Sequence, residues 1–374
     1  MNGNFQRNFI LVLLVSVLVI SLLTVLAAAE SKDTAPRGIS ARSAALYSPD
    51  TDSFLYEKEA NTRLPMASTT KIMTALLALE DKNGDRVVKI PKEATGIEGS
   101  SVYLEEGEEI LLIDLCYALL LQSANDAATA IATEISGSAE SFASLMNEKA
   151  LELGLTDTHF DNPHGLDSAE HYTTAKDLAI LAARAMENEK FMEITSTYKY
   201  SFTSLSGKER TVVNHNKLLK TYSGTLGVKT GFTKKSGRCL VGAAERNGIR
   251  LISVTLDAPD DWSDHKKLFD YGFERMTRID SDTLTESEFT IPVMSGEKDL
   301  LKCEKKPTGP ITLQKGEEIR AITYLPRYTV APVNKGDIVG KIVYKNGEKE
   351  LFTADIYATE DVNKAKFGIF DIFS

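Results

Sequence analysis

The chain has 374 residues, 43% hydrophobic and 26% charged, the make-up of an ordinary globular protein with room for two or three domains at about 150 residues each. A formal net charge of −10 and an isoelectric point of about 5.2 exclude the basic stripe of a nucleic-acid binder, so no nucleic-acid partner is expected. Cys116, Cys239 and Cys303 are odd in number and widely spaced, which does not make a disulfide framework; Cys116 and Cys239 sit in apolar runs and read as small core residues.

The N-terminus carries a targeting pattern. Arg7 is the single charge before an apolar run from Phe9 to Leu26, and Ala27-Ala28-Ala29 follows. A positive start, an apolar stretch and small residues at a cleavage site make residues 1–29 a signal peptide. The run exceeds the usual ~7–15 residues, so an uncleaved anchor is the alternative. Either way the rest of the chain is expected to be exported. Residues 30–37 are a polar linker.

From there the elements follow in order. Ala41 to Tyr47 and Ser53 to Glu57 read as strands around the turn cluster Ser48-Pro49-Asp50-Thr51-Asp52, a hairpin. A helix covers Ile72 to Leu79 and starts close to Ser68. Leu111 to Leu121 and Ala127 to Ile135 are helices on either side of the polar break Gln122-Ser123-Ala124-Asn125-Asp126, where Asn125 or Asp126 can serve as an N-cap. Ala139 to Leu153 is a further helix closed by Gly154, and Thr174-Ala175-Lys176-Asp177 resembles a capping box opening another through Met186. The period then changes. Thr225 to Thr233, Arg238 to Glu245 and Ile249 to Asp257 are strands of an antiparallel meander, with Arg246-Asn247-Gly248 as a tight turn. A helix from Asp261 to Arg275 ends the first domain, residues 38–276. Residues 277–374 have no helical period. Phe289 to Val293, Ile311 to Leu313, Ile319 to Tyr324, Ile338 to Tyr344 and Glu350 to Tyr357 read as strands of a separate all-β module.

Three short strings carry the chemistry: Ser68-Thr69-Thr70-Lys71, Ser123-Ala124-Asn125 and Lys229-Thr230-Gly231. Ser68 and Lys71 share a helix face, so the amine can reach the hydroxyl. A serine hydroxyl needs a neighbouring base. Lysine serves as one only if desolvation and nearby positive charge lower its pKa, and Lys229 can supply that charge. Ser-x-x-Lys alone is more often a capped helix with a solvent-facing lysine. Ser123 fits a proton relay, and Asn125 fits a group that orients Lys71 and holds a substrate amide. On a strand, Lys229 and Gly231 share a face. Glycine there lets a ligand approach closely, while Lys229 and Thr230 suit a carboxylate.

In this order and spacing the strings resemble the serine-type D-alanyl-D-alanine carboxypeptidases, the low-molecular-mass penicillin-binding proteins (peptidase family S11-like). The segments Arg63 to Thr74, Asn162-Pro163-His164-Gly165-Leu166, Thr173 to Leu178 and Asn214 to Leu219 are similar to further signatures of that family. The resemblance covers roughly Ile39 to Phe273. It implies an α+β fold of the serine β-lactamase/transpeptidase type: an antiparallel sheet with helices on both faces and a helical subdomain, here followed by a small all-β C-terminal domain.

The resemblance also implies the chemistry. Ser68 attacks the penultimate D-Ala carbonyl of a peptidoglycan stem pentapeptide, with Lys71 as base. The backbone N–H groups of Ser68 and Phe232 hold the oxyanion. Ser123 protonates the departing D-Ala, and Lys229 with Thr230 grips its carboxylate. β-Lactam antibiotics acylate Ser68; no cofactor or metal is implied.

Three rivals remain in the sequence. A class A β-lactamase would need a deacylating glutamate, where this chain reads Phe160-Asp161-Asn162-Pro163-His164. A zinc peptidase would use His159, His164 and His171 with Asp157, Asp161 and Asp167, whose spacing fits no metal motif. A silent wall-binding protein would have lost polar residues that are all present here. The tail from Val362 to Ser374 reads either as a membrane-surface anchor or as a strand packed on the β module.

Overall fold

The computed structural model describes residues 35–366; the apolar N-terminal run and the tail from Phe367 lie outside the described residues. No helix among the described residues is long and apolar enough to cross a membrane. From Ser40 onward the described residues form one compact unit.

The chain opens with the hairpin β1 (Ser43–Ser48) and β2 (Ser53–Lys58). A 3-10 turn, Ala67–Thr70, leads into α1 (Lys71–Glu80), which is buried from Lys71 to Ala78. A helix apolar on every side belongs in a core, each Leu, Ile or Met there contributing about 1.5–3 kcal/mol. A short antiparallel pair, β3 (Val87–Lys89) and β4 (Glu109–Leu111), precedes α2 (Leu112–Leu121). Next come α3 (Asn125–Ser136), stopped by the left-handed Gly137, and α4 (Ala139–Glu152), capped by Ser138. Then α5 (Ala175–Ala185) is capped by Thr174, whose side chain accepts from the Asp177 N–H as expected.

The next stretch was not legible in the sequence. It forms α6 (Glu189–Ser196), the antiparallel pair β5 (Lys199–Thr203) and β6 (Glu209–Val213), and the single turn α7 (Leu218–Thr221). The meander follows as expected: β7 (Thr225–Thr233), β8 (Gly237–Arg246) and β9 (Ile249–Leu256). Asn247 and Gly248 between β8 and β9 both take positive φ, 53° and 75°, as a two-residue hairpin turn requires. Helix α8 (Asp261–Arg275) completes this part.

These strands build one antiparallel sheet in the order β2-β1-β9-β8-β7, with β7 at an edge. Its two faces are read off the alternation along the strands. Leu46 and Leu251 lie against Gly272 of α8, while Ala45, Ile252 and Val254 join the core shared with α1 to α5. The open edge of β7 thus runs beside the turn that starts α1.

The C-terminal part is built of strands, with one 3-10 turn at Ser281–Leu284. Here β10 (Met276–Asp280) pairs with β13 (Pro310–Gln314). The other strands are β11 (Glu288–Met294), β12 (Leu300–Lys305), β14 (Ile319–Tyr324), β15 (Thr329–Val330), β16 (Ile338–Asn346) and β17 (Lys349–Ala358). They form one sheet in the order β14-β16-β17-β12-β11-β15 over their own core of Ile291, Leu301, Ile342, Tyr344 and Ile356. The sequence reading missed β12. Its inward positions are Leu301, Cys303 and Lys305, and a lysine breaks the apolar alternation. The Lys305 side chain is buried because Asp282 pairs with it. The start of the tail is paired: Val362 is buried and exchanges backbone hydrogen bonds with Val333.

Candidate active site

Ser68 sits in the 3-10 turn rather than in the first turn of an α-helix, and Ala67 before it takes φ +47°. In a 3-10 turn residues three apart eclipse, so Ser68 and Lys71 come together more directly than on an α-helix. Two side chains tie the turn to itself: Thr69 Oγ1 donates to the Met66 carbonyl at 2.6 Å, and Thr70 Oγ1 to the Ala67 carbonyl at 2.8 Å. His171, also buried, supports it from behind. Its Nδ1 accepts from the Asp161 N–H at 3.0 Å, so the neutral ring carries its proton on Nε2 and donates to Thr70 Oγ1 at 2.7 Å. Burial holds that imidazole down to a pKa of about 4, which keeps the tautomer.

Lys71 is fully buried and its Nζ has three neighbours: Ser68 Oγ at 3.0 Å, Asn125 Oδ1 at 2.7 Å and the His164 carbonyl at 2.5 Å. The amide and peptide oxygens only accept. A neutral amine gives one N–H to each and has one lone pair left, directed at the Ser68 hydroxyl. Burial lowers the Lys71 pKa well below its ordinary value, the Lys229 charge lowers it further, and Asp126 opposes both. The His164 carbonyl is delivered by a loop that must lie flat on the turn. A Cβ on Gly165, at φ +91°, would stand 2.0 Å from the Ala67 carbonyl oxygen, so only glycine fits there.

Ser123 and Asn125 are brought to the same place by the break between α2 and α3. Ser123 takes φ +62° and is nearly buried; Asn125 opens α3 and turns its Oδ1 to Lys71. No side chain caps α3. Of the two expected caps, Asn125 is itself the first helical residue, and Asp126 instead accepts from Ser101 Oγ and the N–H groups of Val102 and Leu104, because the loop before α2 folds over the helix end and offers those donors.

On β7, Lys229 is buried, with its Nζ donating to the Thr230 carbonyl at 2.9 Å; burial pushes its pKa down to about 7. Gly231 passes so close that a Cβ there would be 3.0 Å from the Ser68 nitrogen. Phe232 is exposed. A groove of about 350 Å3 joins Ser68, Ser123, Thr230, Gly231 and Phe232 with Ser100, His215, Lys217, Arg238, Asp261 and Trp262. Crevices of about 600 and 850 Å3 lie near β10 and β13 but hold none of the motif residues, so chemistry and not size locates the site.

Several residues here were beyond the sequence reading. Arg238 pairs bidentately with the buried Asp261 at 2.9–3.0 Å and faces Phe232 across the β7–β8 ladder. The His164 carbonyl carries no side-chain signal, although the Asn162 to Leu166 turn residues mark where it sits. Of the rival readings, the zinc set is spread over separate duties: His171 supports the turn, and His159 Nδ1 bonds the Glu170 carbonyl at 2.7 Å. The loop where a lactamase glutamate would be sought presents a peptide carbonyl to Lys71.

Comparison with known proteins shows the family. Residues 29–260 match the D-alanyl-D-alanine carboxypeptidase family, peptidase S11. The chain belongs to this family. Residues 282–364 match the penicillin-binding protein 5 C-terminal domain. Among S11 relatives, the Bacillus subtilis D-alanyl-D-alanine carboxypeptidase DacF is 33% identical over 91% of this chain and 90% of its own. The Streptomyces K15 D-alanyl-D-alanine carboxypeptidase is 38% identical over 60% of this chain and 84% of its own. The solved penicillin-binding protein 5 of Haemophilus influenzae superposes with a TM-score of 0.66 at 29% identity, covering 88% of this chain and all of that one. The S11 family thus accounts for the mixed catalytic part and the penicillin-binding protein 5 C-terminal domain for the all-strand part, and the chain is a serine-type hydrolase of the S11 family.

Proposed function

We propose that this S11 enzyme removes the terminal D-Ala of peptidoglycan stem pentapeptides through an acyl-enzyme on Ser68. The Lys71 amine takes the Ser68 proton as Oγ bonds to the penultimate D-Ala carbonyl carbon. The Ser68 and Phe232 N–H groups meet the oxyanion, a role supported by the close pass of Gly231 along Ser68. The C–N bond then breaks, with Ser123 passing a proton to the leaving amine. Asn125 orients Lys71 and turns its remaining amide N–H to the substrate. Lys229, Thr230 and Gly231 form the strand wall for the terminal carboxylate, and Arg238 adds a second cation at that end of the groove. Water releases the tetrapeptide. The observation that carries this is the buried Lys71 amine, held by two pure acceptors and 3.0 Å from Ser68 Oγ.

β-Lactams, which resemble the D-Ala-D-Ala end, acylate Ser68 in the same groove. Residues 38–276 carry catalysis and residues 277–374 form the β-rich appendage. Residues 1–29 direct export to the wall side of the membrane, and the tail after Val362 contributes any association with the membrane surface. The test is D-Ala release from a peptide ending in D-Ala-D-Ala together with labelling by a fluorescent penicillin. Ser68→Ala loses both, while retained labelling in that folded variant moves the nucleophile elsewhere.

A further inference from the structure

Asn125 faces Lys71 with its amide oxygen because its nitrogen is engaged on the far side. Nδ2 donates to the Glu98 carbonyl at 2.5 Å, and the Asn125 backbone N–H donates to the Ser100 carbonyl at 2.7 Å. An amide turned over would set Oδ1 against the Glu98 carbonyl and Nδ2 against the Lys71 amine, leaving buried groups unsatisfied. The loop of residues 98–104 therefore decides which atom Lys71 meets. Gly99 makes that approach possible. It has φ +92°, and a Cβ there would lie 2.9 Å from Asn125 Nδ2.

The loop is held by one carboxylate. Asp126 is 1% exposed and among the described residues forms no ion pair. Its Oδ2 accepts from Ser101 Oγ at 2.6 Å and from the N–H groups of Val102 and Leu104 at 3.1 Å, and its Oδ1 accepts from the Ala127 N–H at 2.9 Å. An acceptor without hydrogens suits this ring of donors, and an amide would turn an N–H toward one of them. We infer that Asp126 is a positioning residue: it staples residues 101–104 onto the end of α3 and so fixes the Asn125 amide with its oxygen on Lys71. This rests on the reading of Lys71 as the base for Ser68.

The test is the acylation rate of the full chain by a fluorescent penicillin as a function of pH. The charged or titratable groups acting on Lys71 are Lys229 from β7, Asp126 from α3, and His164 and His171 from the loop on the turn. Asp126 is the one that favours the charged amine, so losing it moves the acid limb of the profile to lower pH. Asp126→Ala is expected to slow acylation about tenfold or more, the worth of one charge-assisted hydrogen bond, and to move the limb. Asp126→Asn keeps an oxygen toward residues 101–104; it is expected to slow less and move the limb as far. Gly99→Ala displaces the amide without changing charge, so the rate falls and the limb stays. Folded Asp126→Ala and Gly99→Ala proteins acylated at the wild-type rate overturn the inference, as does equal slowing of both Asp126 variants with an unmoved limb. If Asp126→Ala does not fold, Asp126→Asn and Gly99→Ala decide. A wild-type chain that is not acylated overturns the proposed function instead.

Discussion

Lys71 and Lys229 are both buried amines, and burial pushes both toward the neutral form. The roles proposed for them need opposite protonation states. Lys71 acts as a base only when neutral, so activity rises as pH climbs through its lowered pKa. Lys229 attracts a carboxylate only when charged, so binding weakens as pH passes its pKa of about 7. The kcat/KM for a D-Ala-D-Ala peptide is therefore expected to be bell-shaped, falling by about tenfold per pH unit on the alkaline side. A profile that stays flat well above neutrality speaks against a charged Lys229 in binding. The residue types were legible in the sequence, since Ser68, Lys71, Asn125 and Lys229 each have a chemistry their neighbours do not need. The duty of Asp126 was not, because an acid at a helix start looks like a cap whether or not a distant loop claims it.

At the scale of elements, three of the backbone pieces that build the site are laid directly against one another: the 67–70 turn, the edge strand β7 and the loop around Gly165. Each contact is closed by a missing side chain or a peptide oxygen. Gly165→Ala brings both a Cβ at 2.0 Å from the Ala67 carbonyl oxygen and an unfavourable φ of +91°. It is expected to cost about 2–4 kcal/mol of stability and to pull the His164 carbonyl off Lys71. Chemical denaturation read beside penicillin labelling checks this; wild-type stability and labelling together count against the packing argument. Elements with a clear period were readable almost to the residue, as with β7 and α8. The β5–β6 pair was not, because Glu209, Thr211 and Lys199 face solvent and leave only Phe202, Arg210 and Val212 buried. The Asn188 cap of α6, which accepts from the N–H groups of Lys190 and Phe191, was an available signal.

For the whole molecule, the groove residues all precede β10, and the match to the Streptomyces K15 relative covers 60% of this chain. The β-rich part touches the catalytic part through bonds such as Thr312 Oγ1 to Asp50 Oδ2 at 3.0 Å, and neither residue lines the groove. A chain ending at residue 276 is thus expected to release D-Ala within about twofold of the full rate, with a Tm lower by about 2–4 °C per kcal/mol of lost contact. A folded but inactive truncation would give the C-terminal part a catalytic role. Sequence by itself determined the α+β plan, the three motifs and the reaction class, because the proposed nucleophile, base and carboxylate cation are side-chain identities at local spacings. Tertiary structure decided what makes them a site. The Lys71 amine is held by an amide 54 residues away and a peptide oxygen 93 residues away, and its lowered basicity comes from burial shared by the whole core. Such long-range contacts and desolvation leave no local pattern for a sequence to display.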